Sequence, residues 1–332
     1  MEPISMFLTN STMEKTLKRE IYTSRTKVYN TGKVMKKIII LAALVITNLV
    51  NAQQDPQFTQ YFDNFLHVNP AYAGSSGMLS ATAIHREQWV GFDGAPRSTT
   101  MSLHTPLNYR SVGLGLTAVN DMIGPIRQTA VYADFSYTLK LGKTARLALG
   151  LKGGVNMLNV NTSEFNDVQA DDPAFANVQN QITPNVGFGV YYHDEHFFLG
   201  LSSPRLMEGS TSSTTYREQR HYFGIVGGIF PVSAKWKLRP SVQVKAAMGA
   251  PMSMDISLAG IFNDKLWIGA MNRLNAAAGG FVQYQITRQF RLGLASEYGL
   301  TPIRNYNNGT FEVLMSYDFN YKKSDVKSPR YF

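Results

Sequence analysis

The stretch Lys235-Trp236-Lys237-Leu238-Arg239-Pro240-Ser241-Val242-Gln243-Val244-Lys245-Ala246-Ala247-Met248 decides the fold. Trp236, Leu238, Pro240, Val242, Val244, Ala246 and Met248 share one face, and Lys235, Lys237, Arg239, Ser241, Gln243 and Lys245 share the other. Successive side chains of a strand point to opposite faces, so this is a β-strand with one apolar and one cationic side. A strand of a soluble domain usually runs to about 5–6 residues. This run is longer, and it covers the about 9–11 residues that a tilted strand needs to cross a membrane. The apolar side suits lipid and the charged side suits a polar interior, which is the division found in the wall of a transmembrane barrel.

The same period continues on both sides. Val131, Ala133, Phe135, Tyr137 and Leu139 oppose Tyr132, Asp134, Ser136, Thr138 and Lys140. Leu147, Leu149, Leu151, Val155 and Met157 oppose Arg146, Lys152 and Asn156, and Phe311, Val313, Met315, Tyr317 and Phe319 oppose Glu312, Ser316 and Asp318. Between 78 and 321 we read fourteen segments, at 79–90, 97–106, 111–120, 127–140, 144–158, 183–193, 196–203, 219–230, 235–249, 252–262, 265–272, 277–287, 289–298 and 310–320. Every second link is tight, as at Leu141-Gly142-Lys143 and Asn263-Asp264, whereas the others are mostly longer, notably 159–182 and 204–218. Short turns at one rim and long loops at the other predict an all-β outer-membrane barrel of about fourteen antiparallel strands. An even count places both ends of the wall in the periplasm.

Composition agrees. Charged residues are 17% of the 332, aromatics 12% and hydrophobics 44%. The apolar share excludes a disordered chain. Mean hydropathy is −0.16, and no stretch of 53–332 stays apolar long enough for a membrane helix. The absence of cysteine excludes disulfides, zinc-thiolate sites and thiol nucleophiles. The formal charge of +9 suggests nucleic acid until it is partitioned: 1–52 carries +5, leaving 24 basic and 20 acidic groups over 53–332. That balance gives no basic stripe, and nucleic acid is not an expected partner.

The amino-terminal region reads as an export signal. Met35-Lys36-Lys37 precedes the apolar run Ile38–Ile46, and Val50-Asn51-Ala52 offers small residues before a cut ahead of Gln53. Residues 1–34 are patternless and read as a non-native extension of the start, with 35–52 the signal peptide. Next, Phe58, Tyr61, Phe62, Phe65 and Leu66 recur at helical spacing, and Asn69-Pro70 stops the pattern. The segment 53–77 is therefore expected to form a short amphipathic helix, as a plug in the barrel or packed at its periplasmic side.

Two motifs are more specific. Gln57-Phe58-Thr59-Gln60-Tyr61 with Asn69-Pro70-Ala71-Tyr72-Ala73-Gly74, and Arg86-Glu87-Gln88-Trp89-Val90-Gly91-Phe92-Asp93-Gly94-Ala95-Pro96-Arg97-Ser98, resemble the start of the PorP/SprF family. Tyr132–Leu141, Lys237–Val244 and Ser328-Pro329-Arg330-Tyr331-Phe332 are similar as well. The resemblance implies an integral outer-membrane protein of Bacteroidota tied to type IX secretion and gliding motility. It also implies partners in the periplasmic secretion ring or envelope and a secreted cargo such as a large adhesin. Candidate partner-binding residues on this reading are Phe58, Tyr61, Phe62, Asn69, Pro70, Trp89, Arg97, Arg330, Tyr331 and Phe332. The last three sit on a tail, 322–332, expected to emerge into the periplasm as a docking peptide or to serve as a barrel-insertion signal.

Catalytic chemistry is thin. His193-Asp194-Glu195-His196 falls on a hairpin tip, where Asp and Glu are ordinary turn formers. The loop acids Glu164, Asp167, Asp171 and Asp172 lack the glycine and closing glutamate of a calcium loop. No Gly-x-Ser-x-Gly occurs, so no enzyme activity, cofactor or metal is expected. Trp236 and Trp267, near turns, are expected in the aromatic girdles. Lumen charges of both signs, Arg146, Lys152, Lys237, Arg239 and Lys245 against Asp134, Asp255, Glu297, Glu312 and Asp318, suit internal pairing better than ion selection. A secretion component is therefore ranked first, with a passive pore or nutrient channel second.

Overall fold

The structure, a computed structural model, describes residues 56–107, 111–161, 181–207, 219–248 and 250–319. The signal region, the acidic loop 164–172 and the tail from 320 onward lie outside them. The wall begins with β1 (Leu79–Glu87), β2 (Arg97–Pro106), β3 (Val112–Ile123), β4 (Ile126–Lys140) and β5 (Arg146–Val160). It continues through β6 (Gln181–His193), β7 (Phe197–Ser203), β8 (His221–Gly228), β9 (Phe230–Pro231) and β10 (Trp236–Ala247). It ends with β11 (Ser253–Phe262), β12 (Leu266–Arg273), β13 (Ala277–Gln285), β14 (Phe290–Gly299) and β15 (Thr310–Phe319).

All pairings are antiparallel between neighbours in the chain, and β1 pairs with β15 from Leu79↔Phe319 to Glu87↔Phe311, which closes the ring. The two-residue β9 continues β8 beyond Ile229 along the same partner, β10, so the barrel has 14 crossings. Closure removes every sheet edge, which hydrocarbon requires because it offers nothing to hydrogen-bond a free backbone group.

Side-chain burial follows the alternation, with an inversion that identifies the solvent. Arg239, Ser241, Gln243 and Lys245 are buried while Trp236 and Leu238 are exposed. Asp134 and Ser136 are buried while Val131, Phe135, Tyr137 and Leu139 are exposed. A soluble protein does not expose contiguous apolar rows on this scale; here those rows face lipid and the buried polar rows face the lumen.

Three expectations are modified. First, the contrast in link length is weaker than read. Between β3 and β4 only Gly124-Pro125 intervenes, because the pairing runs out to Ile123↔Ile126. Between β12 and β13 only three residues, 274–276, remain. The long links are 88–96, 161–180, 204–220 and 300–309, all at one rim. Second, Trp267 is not a girdle residue: it is 2% exposed and turns into the lumen beneath the Arg291 guanidinium, 5.1 Å from its ring centroid. Trp236, 43% exposed, does sit on the outer face near a turn. Third, the expected short N-terminal helical segment is present but broken into pieces. A 3-10 turn spans Tyr61–Asn64 and a single α-turn Phe65–Val68, followed by a 3-10 turn at Pro70–Tyr72.

That third change has a physical reason. An amphipathic helix needs one face in water, but this segment is surrounded by the wall. Apolar Phe58, Phe62 and Leu66 are buried, and so are polar Thr59, Gln60, Asn64 and Asn69. Three inward glycines make room for it. A methyl at Gly113, Gly150 or Gly189 would overlap Ala73 O, Ala71 N or Asn69 Oδ1 respectively. No helix among the described residues is long and apolar enough to cross a membrane.

Candidate functional site: the occupied lumen

The segment 57–74 is tied to the wall at three levels. At the level nearest the long links, the Thr59 N–H donates to Glu312 Oε1 (2.6 Å) and the Gln60 N–H to Glu312 Oε2 (3.2 Å). The Thr59 hydroxyl donates to Glu297 Oε1. These carboxylates belong to a buried ionic cluster. Arg86 Nη1 lies 2.5 Å from Glu312 Oε1 and Nη2 lies 2.8 Å from Glu297 Oε2. Arg273 holds Asp255 through two 3.0 Å bonds and reaches Glu297 at 3.3 Å. The cross-strand register makes the first contact inevitable, since Arg86 and Glu312 are direct partners on β1 and β15.

At mid-height the Tyr61 and Ser241 hydroxyls are 2.9 Å apart, and Asn64 Nδ2 donates to Thr100 Oγ1 (3.0 Å). Lys152 Nζ pairs with Asp134 (2.7 Å) and donates to the Leu66 carbonyl (3.2 Å), both side chains being fully buried. Lys152 and Asp134 also face each other across β4 and β5. Around these polar ties Tyr61, Phe62, Phe65, Val68 and Ala71 pack with Tyr191, Phe198, Phe223, Ile225 and Ile229 of the wall.

Nearest the short turns, Asp63 accepts from Arg291 Nη2 (2.7 Å) and Gln283 Nε2 (2.6 Å). Asn69 Nδ2 donates to the Val190 carbonyl (3.0 Å) while its Oδ1 accepts the Ala71 N–H (3.0 Å). Ser136 Oγ donates to the Ala73 carbonyl (2.7 Å), and the Gly74 N–H donates to His104 Nδ1 (3.1 Å). Three cavities beside the segment, among the described residues, are small, about 60, 20 and 30 Å³. The arrangement fills the lumen and neutralises most of its charge; it resembles a fixed stopper more than a substrate cleft.

The sequence candidates divide accordingly. Phe58 is buried against Ile84 and Leu314; Tyr61, Phe62, Asn69 and Pro70 are buried in the contacts above. All five are engaged within the chain. Trp89 and Arg97 lie at the long-link rim. The Trp89 backbone adopts φ 51, its N–H donates to Thr310 Oγ1 (3.2 Å) and its ring meets Phe92 edge-on. Arg97 is exposed and pairs with Glu87 at 3.0 Å. Arg330, Tyr331 and Phe332 lie outside the described residues. Asp194 is spent on its hairpin, accepting the His196 and Phe197 N–H groups at 2.8 Å each.

Sequence reading missed Asp63, Gln283, Arg273 and Arg291 as lumenal ties. For Arg291 a signal existed, because it alternates with the outward Leu292 and Leu294 of β14. For Arg273 there was little, since the segment was read as ending one residue earlier. Among the described residues no group of three His, Asp or Glu converges as a metal site.

The sequence model of one family, described as type IX secretion system membrane protein PorP/SprF, matches residues 50–317. A search of curated protein sequences returns no match. Among solved structures the chain is similar to the outer membrane protein Omp33 of Acinetobacter baumannii, at 8% identity and TM-score 0.44, over 73% of this chain and 98% of that one. It is also similar to the KdgM porin, at 10% identity and TM-score 0.35, over 73% and 99%. A mutant of Rh. blastica porin aligns at 9% identity and TM-score 0.32, again over 73% and 99%.

Proposed function

Because the chain belongs to the PorP/SprF family of type IX secretion system membrane proteins, we propose that it is a non-enzymatic outer-membrane component supporting export or surface attachment of a secreted cargo, such as a large adhesin. Its short-turn rim and carboxyl-terminal tail face the periplasm and contact the secretion ring or other envelope proteins. Its long-link rim, with Trp89 and Arg97, faces outward.

The observation that favours this over a passive pore is the occupied lumen. A diffusion channel needs a continuous water-filled path. Here 57–74 stands in that path, held by Asp63, Glu297, Glu312 and Lys152. A wall that spends its charges on an internal peptide suits a scaffold.

The test is deletion of the gene with recovery of the secreted proteins. Loss of one or more cargo proteins from the surface, restored by the full chain, supports the reading. Unchanged secretion with slower uptake of small solutes would overturn it in favour of a pore. Deletion of 328–332 then separates docking from insertion. Docking predicts normal barrel levels with lost cargo export, whereas a barrel that fails to insert makes the tail an assembly signal.

A further inference from the structure

We propose that the short-turn side of the lumen carries a binding subsite for a carboxylate, built on Arg239 and Trp267. Both line the cavity of about 60 Å³ that lies between the stopper and the short-turn ends of β1, β2, β14 and β15. That volume exceeds what one water needs.

Arg239 is 3% exposed and Trp267 2%. Arg239 Nε and Nη2 and Trp267 Nε1 make no hydrogen bond. Guanidinium and indole N–H are donors only, and the two side chains that carry these three orphan donors line the same cavity, so what the pair lacks is an acceptor. The register sets them two strands apart on the lumen side: Arg239 on β10 faces Ala259 of β11, whose other neighbour is Gly269, two residues along β12 from Trp267.

Charge points the same way. Arg86, Lys152, Arg273 and Arg291 each have a carboxylate within 4 Å. Arg239 instead lies over the Phe62 ring, 4.5 Å from its centroid, a contact that orients the guanidinium but supplies no hydrogen-bond acceptor oxygen. An unpaired buried cation is costly, and a carboxylate relieves it with a bidentate pair. The acids of the lining are already engaged. Asp63 is held by Arg291 and Gln283, and Asp318 accepts from the Ser80 hydroxyl at 2.8 Å. A single guanidinium without a salt bridge, with Asp63 and Asp318 in the same lining, favours a monoanion over a phosphate dianion. The carboxylate comes from a polypeptide, as a C terminus or acidic side chain, or from a free small acid.

The test uses the full barrel folded in detergent. It follows the unfolding midpoint during titration with acetate, with an acetylated dipeptide acid and with its amide, chloride holding the ionic strength constant. Saturable stabilisation by acetate or the peptide acid, absent with the amide and abolished in Arg239→Met, is the expected result. Trp267→Phe keeps the ring, loses one donor and should bind about tenfold more weakly, as expected for one charge-assisted hydrogen bond. It carries the test if Arg239→Met does not fold. Peptide acid binding tighter than acetate identifies a polypeptide source, and equal binding a free small acid; both support the subsite. Equal stabilisation by the amide, a response confined to inorganic phosphate, or an Arg239→Met or Trp267→Phe protein that titrates like the parent overturns it.

Discussion

Replacing Arg86 by Met should destabilise the barrel by about 3 kcal/mol, the lower end of the roughly 3–5 kcal/mol expected when one member of a buried ion pair is removed. Arg86 bonds two carboxylates whose side chains are 3% and 1% exposed. Without it, Glu312 keeps only the N–H groups of Thr59 and Gln60. Glu297 fares better, because Arg273 still reaches it at 3.3 Å, which is why the lower end of the range applies. The triple change Arg86→Met, Glu297→Gln and Glu312→Gln removes the unpaired charges and should recover all but about 1 kcal/mol. Urea unfolding of the barrel in micelles, followed by tryptophan fluorescence, measures both proteins. If Arg86→Met unfolded within about 0.5 kcal/mol of the parent, a range usual for surface substitutions, the cluster would not be the buried latch described.

Gly150→Val or Gly189→Val should displace the stopper, because even a methyl at either position overlaps the segment 69–71; planar-bilayer recording should show steady openings absent from the parent, and silent variants would contradict the steric account. Phe135→Arg or Val242→Arg should cost roughly 2–4 kcal/mol if the residue lies near the bilayer midplane, read by the same urea titration in lipid vesicles; no loss would mean that these rows do not face hydrocarbon. Peptide tags inserted at 170 and 210 should be reachable on intact cells, and tags at 142 and 264 should not; the opposite labelling would invert the orientation. Partial burial raises the Asp194 carboxyl, but the His196 and Phe197 N–H groups outweigh it and set the acid below the ordinary 3.8. Its help to the 194–196 turn is therefore present above pH 3.8 and lost as pH falls through the lower folded value. Asp194→Asn, which keeps the acceptor oxygen, should remove that pH dependence from the unfolding midpoint.

The wall was legible because its two solvents differ so sharply. Period-two alternation is a local property, and a residue such as Val242 between Ser241 and Gln243 declares its face without knowledge of any partner. Legibility failed where a position lacked that local contrast. Trp267 stands between Leu266 and Ile268, so hydrophobicity cannot say which of the three turns inward, and the usual preference of Trp for the girdle misdirects. Pairing with Ile261, which is fully buried, settles it, and that pairing is tertiary. The Gly124-Pro125 turn was hidden for a similar reason: Asn120, Asp121, Arg127 and Gln128 look like loop residues, yet Asn120 and Arg127 merely stand on the outer face beyond the apolar band. The stopper showed its aromatic spacing but not its shape. A helical pattern predicts a helix only when one side is left to water, and here the wall supplies partners all round.

The stopper's ties also constrain how the protein can be assembled. Thr59 bonds Glu297 and Glu312, which lie 238 and 253 residues further along the chain. Asp63 bonds Gln283 and Arg291 at separations of 220 and 228. These partners are supplied by β13 to β15, so the Thr59 and Asp63 ties cannot form before those strands are in place. The same strands close the ring on β1 through Arg86 and Glu312. Docking and ring closure therefore share one buried cluster, and each presents the other with its missing charges. A barrel caught open would hold Arg86 without Glu312 and Glu297 without Arg86, a state several kcal/mol less favourable than the closed one. The coupling favours a barrel that, once closed, holds its lumen filled. That property suits a scaffold better than a component whose work is done by flow through the middle.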